Sequence, residues 1–472
     1  MSKYKKDIIK ETMTNFCSIP ADEIRDTFVN PDKDFTRDRK LPLCLLLKIG
    51  LLNAGTCINE QLRLCCGLGD DRPTASGFIQ QRDKLTVESY SALFRIHASS
   101  LTGHTLYKQK YIVVAIDGSD VNIHPNKDDV STLCTSIAKK YRQRAAMQPV
   151  NMLHLNAAVT VPDGFFIDYE IQNLAAKNER TACANMMKRI SRVDYGAMPI
   201  ITCDRGYESF YLMMLADSLG LKYCIRVKDV DSGIGIASRY GDLKEADGCI
   251  DAYIDKKYTF CYFVATRPDE YPDFIYCHSN HYNPFIPPTP NKARKGGASK
   301  GNSQLTYYGF TYRLVRFSIG DGVFETLVTN LSQEEFPLSE MKLLYHMRWG
   351  IETAFRQLKY DDCASFMHSK KKAAAVGEIV FSMIFHNLCS IILKFLALRV
   401  AQICMNRKRI YRISYSDLTA VVRFYIHGRD PTLTEKKIVR ELFLTLQPIR
   451  NGRAFMRNKK QNFFIPFIYR VA

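Results

Sequence analysis

The chain has 472 residues, of which 46% are hydrophobic and 24% are charged, values typical of a folded soluble protein. This composition excludes a disordered or collagen-like chain, and the length suggests two to four domains. Lys and Arg number 66 against 48 Asp and Glu, which gives a net charge of +18. Such a charge argues against an ordinary small-metabolite enzyme and favours a polyanionic partner, nucleic acid first and an anionic membrane surface second.

The start of the chain, MSKYKKDIIKETMTNF, carries charges but no apolar core, so we expect no secretory signal peptide. The longest apolar stretch runs from Ile379 to Leu393 and is shorter than the roughly 20 residues of a membrane span. It also contains His386 and Asn387, which favours a buried helix and no membrane. The 15 cysteines include no C-x-x-C pair, so we expect neither disulfides nor structural zinc, in a reducing cytoplasm.

Residues 1–105 show apolar residues at helical spacing and predict an N-terminal helical domain, which we interpret as a domain that binds DNA ends. Within it, INEQLRLCCGLG and TASGFIQQRDKL can form a helix-turn-helix. Gln80, Gln81 and Arg82 would then read base edges. The alternative is an ordinary pair of short helices, which gives the same pattern.

Residues 106–228 predict an α/β core that begins with the strand YIVVAID (111–117). A hairpin follows, with strands 152–161 and 165–172 around the turn Pro162-Asp163-Gly164. The remaining predicted elements are a helix (178–193), a strand (198–204), a helix (207–219) and a strand (222–228).

The character changes to Tyr-, Gly- and Pro-rich β segments in 229–335, which predicts an inserted β domain. Its stretch PFIPPTPNKARKGGASKGNSQ is a basic loop. We interpret Lys292, Arg294, Lys295 and Lys300 there as a DNA clamp, or else as a solvated loop. Residues 336–405 are helical again. The C-terminal region 406–472 holds 15 Lys and Arg and 4 Asp and Glu, so it carries +11 of the net charge.

Two acids occupy corresponding places in the predicted core. Asp117 ends the first strand, with Gly118 after it for a sharp turn, and Asp204 ends the strand 198–204. In open α/β sheets, functional groups gather at the carboxyl ends of strands. Each acid taken alone is also compatible with a turn or a helix cap.

The segment YHMRWGIETAFRQLK adds a third acid. On a helix that advances 100° per residue, Tyr345, Arg348, Glu352 and Lys359 fall on one narrow polar stripe beside an apolar arc. The alternative interpretation is a solvated charged face next to a core stripe.

This spacing resembles the signature helix of DDE transposases of the insertion-sequence-four group, in which Tyr, Arg, Glu and Lys are separated by two, three and six residues. Three further motifs occur in the same order: DGS at 117–119, DRGY at 204–207 and LVTNL at 327–331. The resemblance covers residues 111 to about 390.

The resemblance implies a ribonuclease-H-like core with the β domain inserted before its last helices. It carries over Asp117, Asp204 and Glu352 as catalytic, metal-binding carboxylates for Mg²⁺, with Mn²⁺ as a substitute. Two such ions share hard oxygen ligands in in-line phosphoryl chemistry. Tyr345, Arg348 and Lys359 carry over as DNA contacts.

The expected function is a transposase that binds the inverted-repeat ends of its element and cleaves and joins DNA. Its partners would be double-stranded end and target DNA and a second copy of the chain in the DNA complex. We expect it in a bacterial cytoplasm, associated with the nucleoid. Two alternatives are a catalytically silent DNA-binding protein derived from a transposase and a stand-alone structure-specific nuclease.

Three residues near these motifs have weaker interpretations. Arg205 would contact the DNA backbone or form a structural salt bridge. Asp120 is more compatible with a turn than with a metal ligand. Trp349, the only tryptophan, is either a stacking platform for a displaced base or a packing residue at the helix border.

Overall fold

The computed structural model describes residues 7–37, 39–134, 150–259, 261–276, 307–320, 322–405, 407–428, 430, 432–449 and 468–469. The chain divides into two compact units. The first contains residues 1–105, 115–178 and 349–472, and the second contains residues 106–114 and 179–348. The five domain ranges derived from the sequence remain a prediction.

The first unit begins with short helices: α1 (Ile8–Cys17), α2 (Ala21–Ile24), α3 (Leu43–Leu51), α4 (Ile58–Cys66), α5 (Ala75–Arg82) and α6 (Val87–Ser99). The helical character predicted for this region is confirmed. Side-chain caps begin the last two of these helices, since Thr74 and Thr86 accept hydrogen bonds from the backbone amides of Gly77 and Ser89.

Three strands follow: β1 (Tyr111–Ile123), β2 (Asn151–Val161) and β3 (Phe165–Asn173). Strands β2 and β3 pair antiparallel, with Thr160 opposite Phe165, and Gly164 in the turn has a φ of +79°. The hairpin prediction is therefore confirmed. In this unit the strand order is β3-β2-β1, and β1 runs on into the second unit.

The predicted end of β1 at Asp117 is wrong. The strand continues for six more residues to Ile123, and Gly118 does not have the left-handed backbone that a sharp turn would use. Val121 and Ile123 are buried, so the second half of the strand has its own packing. Asp117 and Asp120 therefore lie within a strand.

The second unit begins with the predicted alternation of helix and strand: α7 (Glu179–Ile190), β4 (Met198–Cys203), α8 (Phe210–Ser218) and β5 (Lys222–Val227). The elements that follow are β6 (Ile250–Thr259), α9 (Tyr262–Thr266), β7 (Phe274–Tyr276), β8 (Tyr307–Gly320), β9 (Val323–Thr329) and α10 (Leu338–Met347). The strand order is β1-β4-β5-β9-β8-β6-β7. Strands β4 and β5 are parallel, whereas β9 is antiparallel to β5.

Two features of the predicted β insertion differ from expectation. Its strands extend the core sheet through β9, since β9 pairs with β5 on one side and with β8 on the other. The segment Tyr262–Thr266 forms the short helix α9, although its aromatic and β-branched residues favoured a strand.

A buried ion pair joins two strands of this region. Arg313 on β8 is fully buried and makes two hydrogen bonds to Asp251 on β6, of 2.6 and 2.8 Å.

The remaining elements belong to the first unit: α11 (Gly350–Tyr360), β10 (Phe366–Met367), α12 (Lys372–Met405), β11 (Tyr411–Arg412), α13 (Tyr415–His427), α14 (Glu435–Leu444), β12 (Gln447–Pro448) and β13 (Ile468–Tyr469). By length and composition α12 could cross a membrane, but 78% of its most apolar window is buried inside the protein. The prediction of a buried helix over Ile379–Leu393 is confirmed for most of its length, because Ile379 to Ser390 are all buried.

Glycine 377 permits the close packing of α12 against α6. A Cβ atom at this position would lie 2.5 Å from Cε1 of the buried Tyr90. We expect Gly377→Ala to lower the free energy of unfolding by about 1–3 kcal/mol, since overpacking outweighs the better helix propensity of alanine. Thermal unfolding followed by circular dichroism measures this change.

Gly241→Ala is the matched control, because nothing lies within 4 Å of the Cβ position there. Its stability should stay within about 0.5 kcal/mol of the wild type. Equal stability of the two variants would contradict the proposed packing.

Candidate functional site

The half-buried acid Asp117 lies in β1, and its Oδ1 atom accepts a hydrogen bond of 2.8 Å from the backbone amide of Gly118. Three residues further, Asp120 is exposed and its Oδ1 atom lies 2.6 Å from Nδ1 of His154 on β2. The hydrogen bond from His154 lowers the pKa of the Asp120 carboxyl group below its usual value. Asp120 therefore stays ionised.

Helix α11, which carries Glu352, is fixed to these strands at both ends. A Cβ atom at Gly350 would lie 2.7 Å from Cγ1 of Val161 on β2, so glycine lets the helix begin in close contact with the strand. Near the other end, Nζ of Lys359 donates a hydrogen bond of 2.7 Å to the carbonyl oxygen of Asp120. The half-buried Glu352 lies between these two anchors.

Glu352 and Asp117 lie at similar distances along their own elements from the contact between Lys359 and Asp120. From Glu352 to Lys359 the helix advances about 10 Å, and from Asp117 to Asp120 the strand advances about the same distance. Glu352 and Asp117 are thus each one such step from the contact between Lys359 and Asp120. The first unit holds both acids in elements that are joined by a direct hydrogen bond.

A buried polar cluster holds the chain just after α11. Asp362 accepts hydrogen bonds of 2.9 and 3.1 Å from the hydroxyl of Tyr415, and its Oδ2 atom lies 2.8 Å from Nδ1 of His386 on α12. Burial raises the pKa of the Asp362 carboxyl group, while the hydrogen bonds from His386 and Tyr415 oppose this rise. A buried carboxylate needs such partners, so the position of this segment is strongly specified.

Asp204 in the second unit follows β4 directly. Its Oδ1 atom accepts a hydrogen bond of 2.7 Å from the amide of Gly206 and begins the 3₁₀ turn Arg205–Tyr207. Arg180 on α7 donates a hydrogen bond of 3.1 Å to the carbonyl of Gly206. The side chain is half-buried, and the predicted strand end is confirmed within one residue.

Arg205 is exposed and lines a cavity of about 610 Å³ in the second unit. Four more cationic side chains line this cavity: Arg180, Lys228, Arg239 and Lys256. Among the described lining residues, Glu208 is the one acid, and it accepts hydrogen bonds from the backbone amides of Lys228 and Ile236. The cavity is therefore suited to an anionic group.

Two of the four residues on the predicted stripe are buried in the second unit. Tyr345 is 1% exposed and Arg348 is 4% exposed, and the Arg348 guanidinium lies 5.6 Å from the Tyr345 ring centroid. The Tyr345 hydroxyl has no hydrogen-bond partner among the residues described. In this conformation these two side chains are packing residues, which differs from the polar edge predicted for them.

The predicted single helix is divided into α10, which ends at Met347, and α11, which begins at Gly350. Arg348 and Trp349 keep helical backbone angles between them, but the amide of Arg348 bonds to Tyr345 in a tighter turn. The predicted polar stripe required one continuous helix through this point. Because the structure has two helices, the stripe is corrected to two separate segments. Trp349 is 45% exposed.

The N-terminal residues predicted to read bases differ in exposure. Arg82 is buried, contrary to expectation, because its guanidinium pairs with Glu378 on α12 at 3.7 Å and lies over the Phe78 ring. Gln80 is exposed and donates to the hydroxyl of Ser76, and Gln81 is half-buried. Base reading by Gln80 and Gln81 stays a prediction.

The predicted basic loop residues Lys292, Arg294, Lys295 and Lys300 lie outside the described residues. Over the described ranges, no group of three or more His, Cys, Asp or Glu side chains is arranged to hold a metal ion. No cysteine in those ranges forms a disulfide.

Sequence reasoning missed the cationic lining of the cavity and the pairing of Asp120 with His154. Arg180 and Lys228 each occur within two residues of a predicted helix or strand end. That position could have identified both as candidate site residues. His154 gave no signal, since its place inside an apolar strand is typical of a core residue.

A comparison with known protein families identifies the family of the chain. The family profile described as "Transposase DDE domain" matches residues 108–388, which is more than half of the chain. No curated protein sequence matches significantly. Among solved structures, a cryo-EM structure of the piggyBac transposase synaptic complex with hairpin DNA is similar over 94% of this chain and 87% of its own, with 9% identity and a TM-score of 0.46.

The contact between Gly350 and Val161 can be tested by a double-mutant cycle. Gly350→Ala should cost about 1–3 kcal/mol of stability, because the new methyl group meets Val161 Cγ1. Val161→Ala removes that atom, so the double variant should lose less than the sum of the single losses, by about 0.5–3 kcal/mol. Chemical denaturation of the four proteins measures the coupling, and strictly additive losses would show that α11 does not touch β2 there.

Proposed function

The chain belongs to the family of transposase DDE domains, and from this premise we propose that it moves its own insertion sequence by metal-dependent DNA cleavage and strand transfer. Within the family we assign it to the insertion-sequence-four group on the spacing of YHMRWGIETAFRQLK. The observation that carries the proposal is the fixation of α11, with Glu352, on β1, which contains Asp117, and on the neighbouring strand β2.

We propose Asp117, Asp204 and Glu352 as the carboxylates that hold Mg²⁺, or Mn²⁺ in its place. All three are half-buried acids with hard oxygen donors, the ligand type that these ions prefer. The proposal rests on this donor chemistry and on the motifs, since the described residues contain no ready-made group of three such side chains around a metal position. Bound metal supplies an activated oxygen nucleophile and stabilises the leaving oxygen.

The protein's own cations would bind and orient the DNA. Lys359 places its amine against Asp120, three residues from Asp117 in β1. Arg205, which lines the cationic cavity, is next to Asp204 in the chain. Phosphate contacts of this kind position a duplex without reading its sequence. Tyr345 and Arg348 remain proposed DNA contacts, and their burial means that α10 must shift before either side chain touches DNA.

The proposed partners are double-stranded transposon ends, target DNA and a second copy of the chain in the DNA complex. We propose a ribonuclease-H-like core for the catalytic part and a nucleoid-associated location in a bacterial cytoplasm. Short inverted repeats and a duplicated target site around the gene would distinguish a transposase from a silent DNA-binding protein or a stand-alone nuclease.

Metal dependence is the first functional prediction. Purified protein should nick duplex DNA that carries the element's terminal repeat in Mg²⁺ or Mn²⁺ and should leave it intact in EDTA. Ca²⁺ should support binding much better than cleavage, since it takes the same oxygen ligands with looser geometry. Gel analysis of end-labelled duplex measures both activities, and cleavage that persists in EDTA would rule out the mechanism.

The second functional prediction concerns Glu352. Glu352→Gln removes a negative charge from a site that must accept a polyanion, so binding of end DNA should persist or tighten while cleavage falls by at least about 100-fold. Glu88→Gln is the matched control, because Glu88 is an exposed acid on α6. Normal cleavage by folded Glu352→Gln would show that Glu352 only belongs to a solvated face.

A further inference from the structure

Four charged or titratable side chains meet at the edge of β1 in the first unit: Asp120, His154, Lys177 and Lys359. The Asp120 Oδ1 atom lies 2.6 Å from Nδ1 of His154 and 3.6 Å from Nζ of Lys177. Its carbonyl oxygen accepts the hydrogen bond of 2.7 Å from Nζ of Lys359. One aspartate thus contacts two lysines, one through its side chain and one through its backbone.

A hydrogen bond with a buried histidine fixes the side chain of Asp120. The His154 side chain is fully buried in β2, so its hydrogen bond fixes the carboxylate of a residue whose own side chain is 42% exposed. The lysines approach from separate segments, since Lys177 follows the short 3₁₀ turn Leu174–Ala176 and Lys359 belongs to α11. Asp120 therefore sets where both amines lie.

The contact with Lys177 is readily exchanged. At 3.6 Å it is longer than a hydrogen bond, and both side chains are more than one-third exposed, so water screens the pair. Lys359 donates to a neutral carbonyl, which leaves its positive charge without a carboxylate at that contact. An anion with several oxygen atoms can attract both amines more strongly than Asp120 does.

We infer that Lys177 and Lys359 together bind one phosphate group, and that this phosphate belongs to the DNA backbone, with Asp120 holding the two amines ready for it. The inference rests on the proposed function, because it adds a second lysine to the contact assigned to Lys359. It makes Lys177 a DNA-binding residue and Asp120 a positioning residue.

The test is a double-mutant cycle on DNA binding with the full chain and a duplex that carries the element's terminal repeat. Lys177→Ala and Lys359→Ala should each weaken binding by about tenfold at low salt. The double variant should lose less than the product of the single losses, since both amines serve one phosphate. Its plot of log K against log salt should be shallower than that of the wild type by about 0.9.

Lys371→Ala is the matched control. Lys371 is an exposed lysine in the same unit that pairs with Asp83 at 2.7 Å. Lys371→Ala should leave the slope of log K against log salt unchanged. Any loss of DNA affinity that it causes should be independent of the loss caused by Lys359→Ala. If Lys177→Ala behaves like Lys371→Ala, or if the losses at Lys177 and Lys359 are independent, the inference is wrong.

Two further measurements distinguish failure of the phosphate assignment from failure of the proposed function. Inorganic phosphate at constant ionic strength should leave DNA binding unchanged. Binding of inorganic phosphate by the wild type but not by the double variant, together with equal DNA affinity of the two proteins, would identify free phosphate as the ligand and overturn the backbone assignment. A wild-type protein without salt-dependent binding of the duplex would overturn the proposed function as well.

Discussion

The close packing of α11 against the first strands of the sheet is the constraint on which the proposed chemistry depends. Gly350 allows the helix to start against Val161, Lys359 bonds to the backbone of β1, and the buried Asp362 cluster holds the chain after the helix ends. A buried carboxylate without its partners would cost several kcal/mol. The segment that carries Glu352 therefore cannot slide or rotate without losing the close packing on Val161 at its start and polar contacts at its end.

Much of the local structure could be predicted because it depends on neighbouring residues. The hairpin at Pro162-Asp163-Gly164 follows from turn chemistry, and the strand before Asp204 follows from a continuous apolar run that ends at a cap. The end of β1 was missed because Gly118 is compatible with both a turn and an extended strand. Only the burial of Val121 and Ile123, which depends on tertiary packing, decides between them.

For the candidate site, the sequence pattern served best at Asp204, which does follow a strand, whereas Asp117 lies inside β1 and the catalytic role of both acids and of Glu352 stays a prediction. Arg82, Tyr345 and Arg348 are buried where the pattern placed them at a polar surface. A helical wheel separates polar from apolar faces but does not show which element covers each face. The pairing of Arg82 with Glu378 joins residues almost 300 positions apart, and no local pattern contains that information.

Each unit combines an acid proposed for catalysis with cations that can offset the charge of DNA. In the first unit Lys359 and Lys177 surround Asp120, three residues from Asp117, and in the second Arg180 contacts the turn that Asp204 begins. Carboxylates alone would repel a polyanion, so cations close to each acid are a physical requirement of the reaction. Under the proposed function, the net charge of +18 would serve long-range attraction, whereas these few side chains would determine where a phosphate binds. Because Asp120 is itself anchored by the buried His154, that position is specified by the core of the protein and not by the flexible lysine side chains.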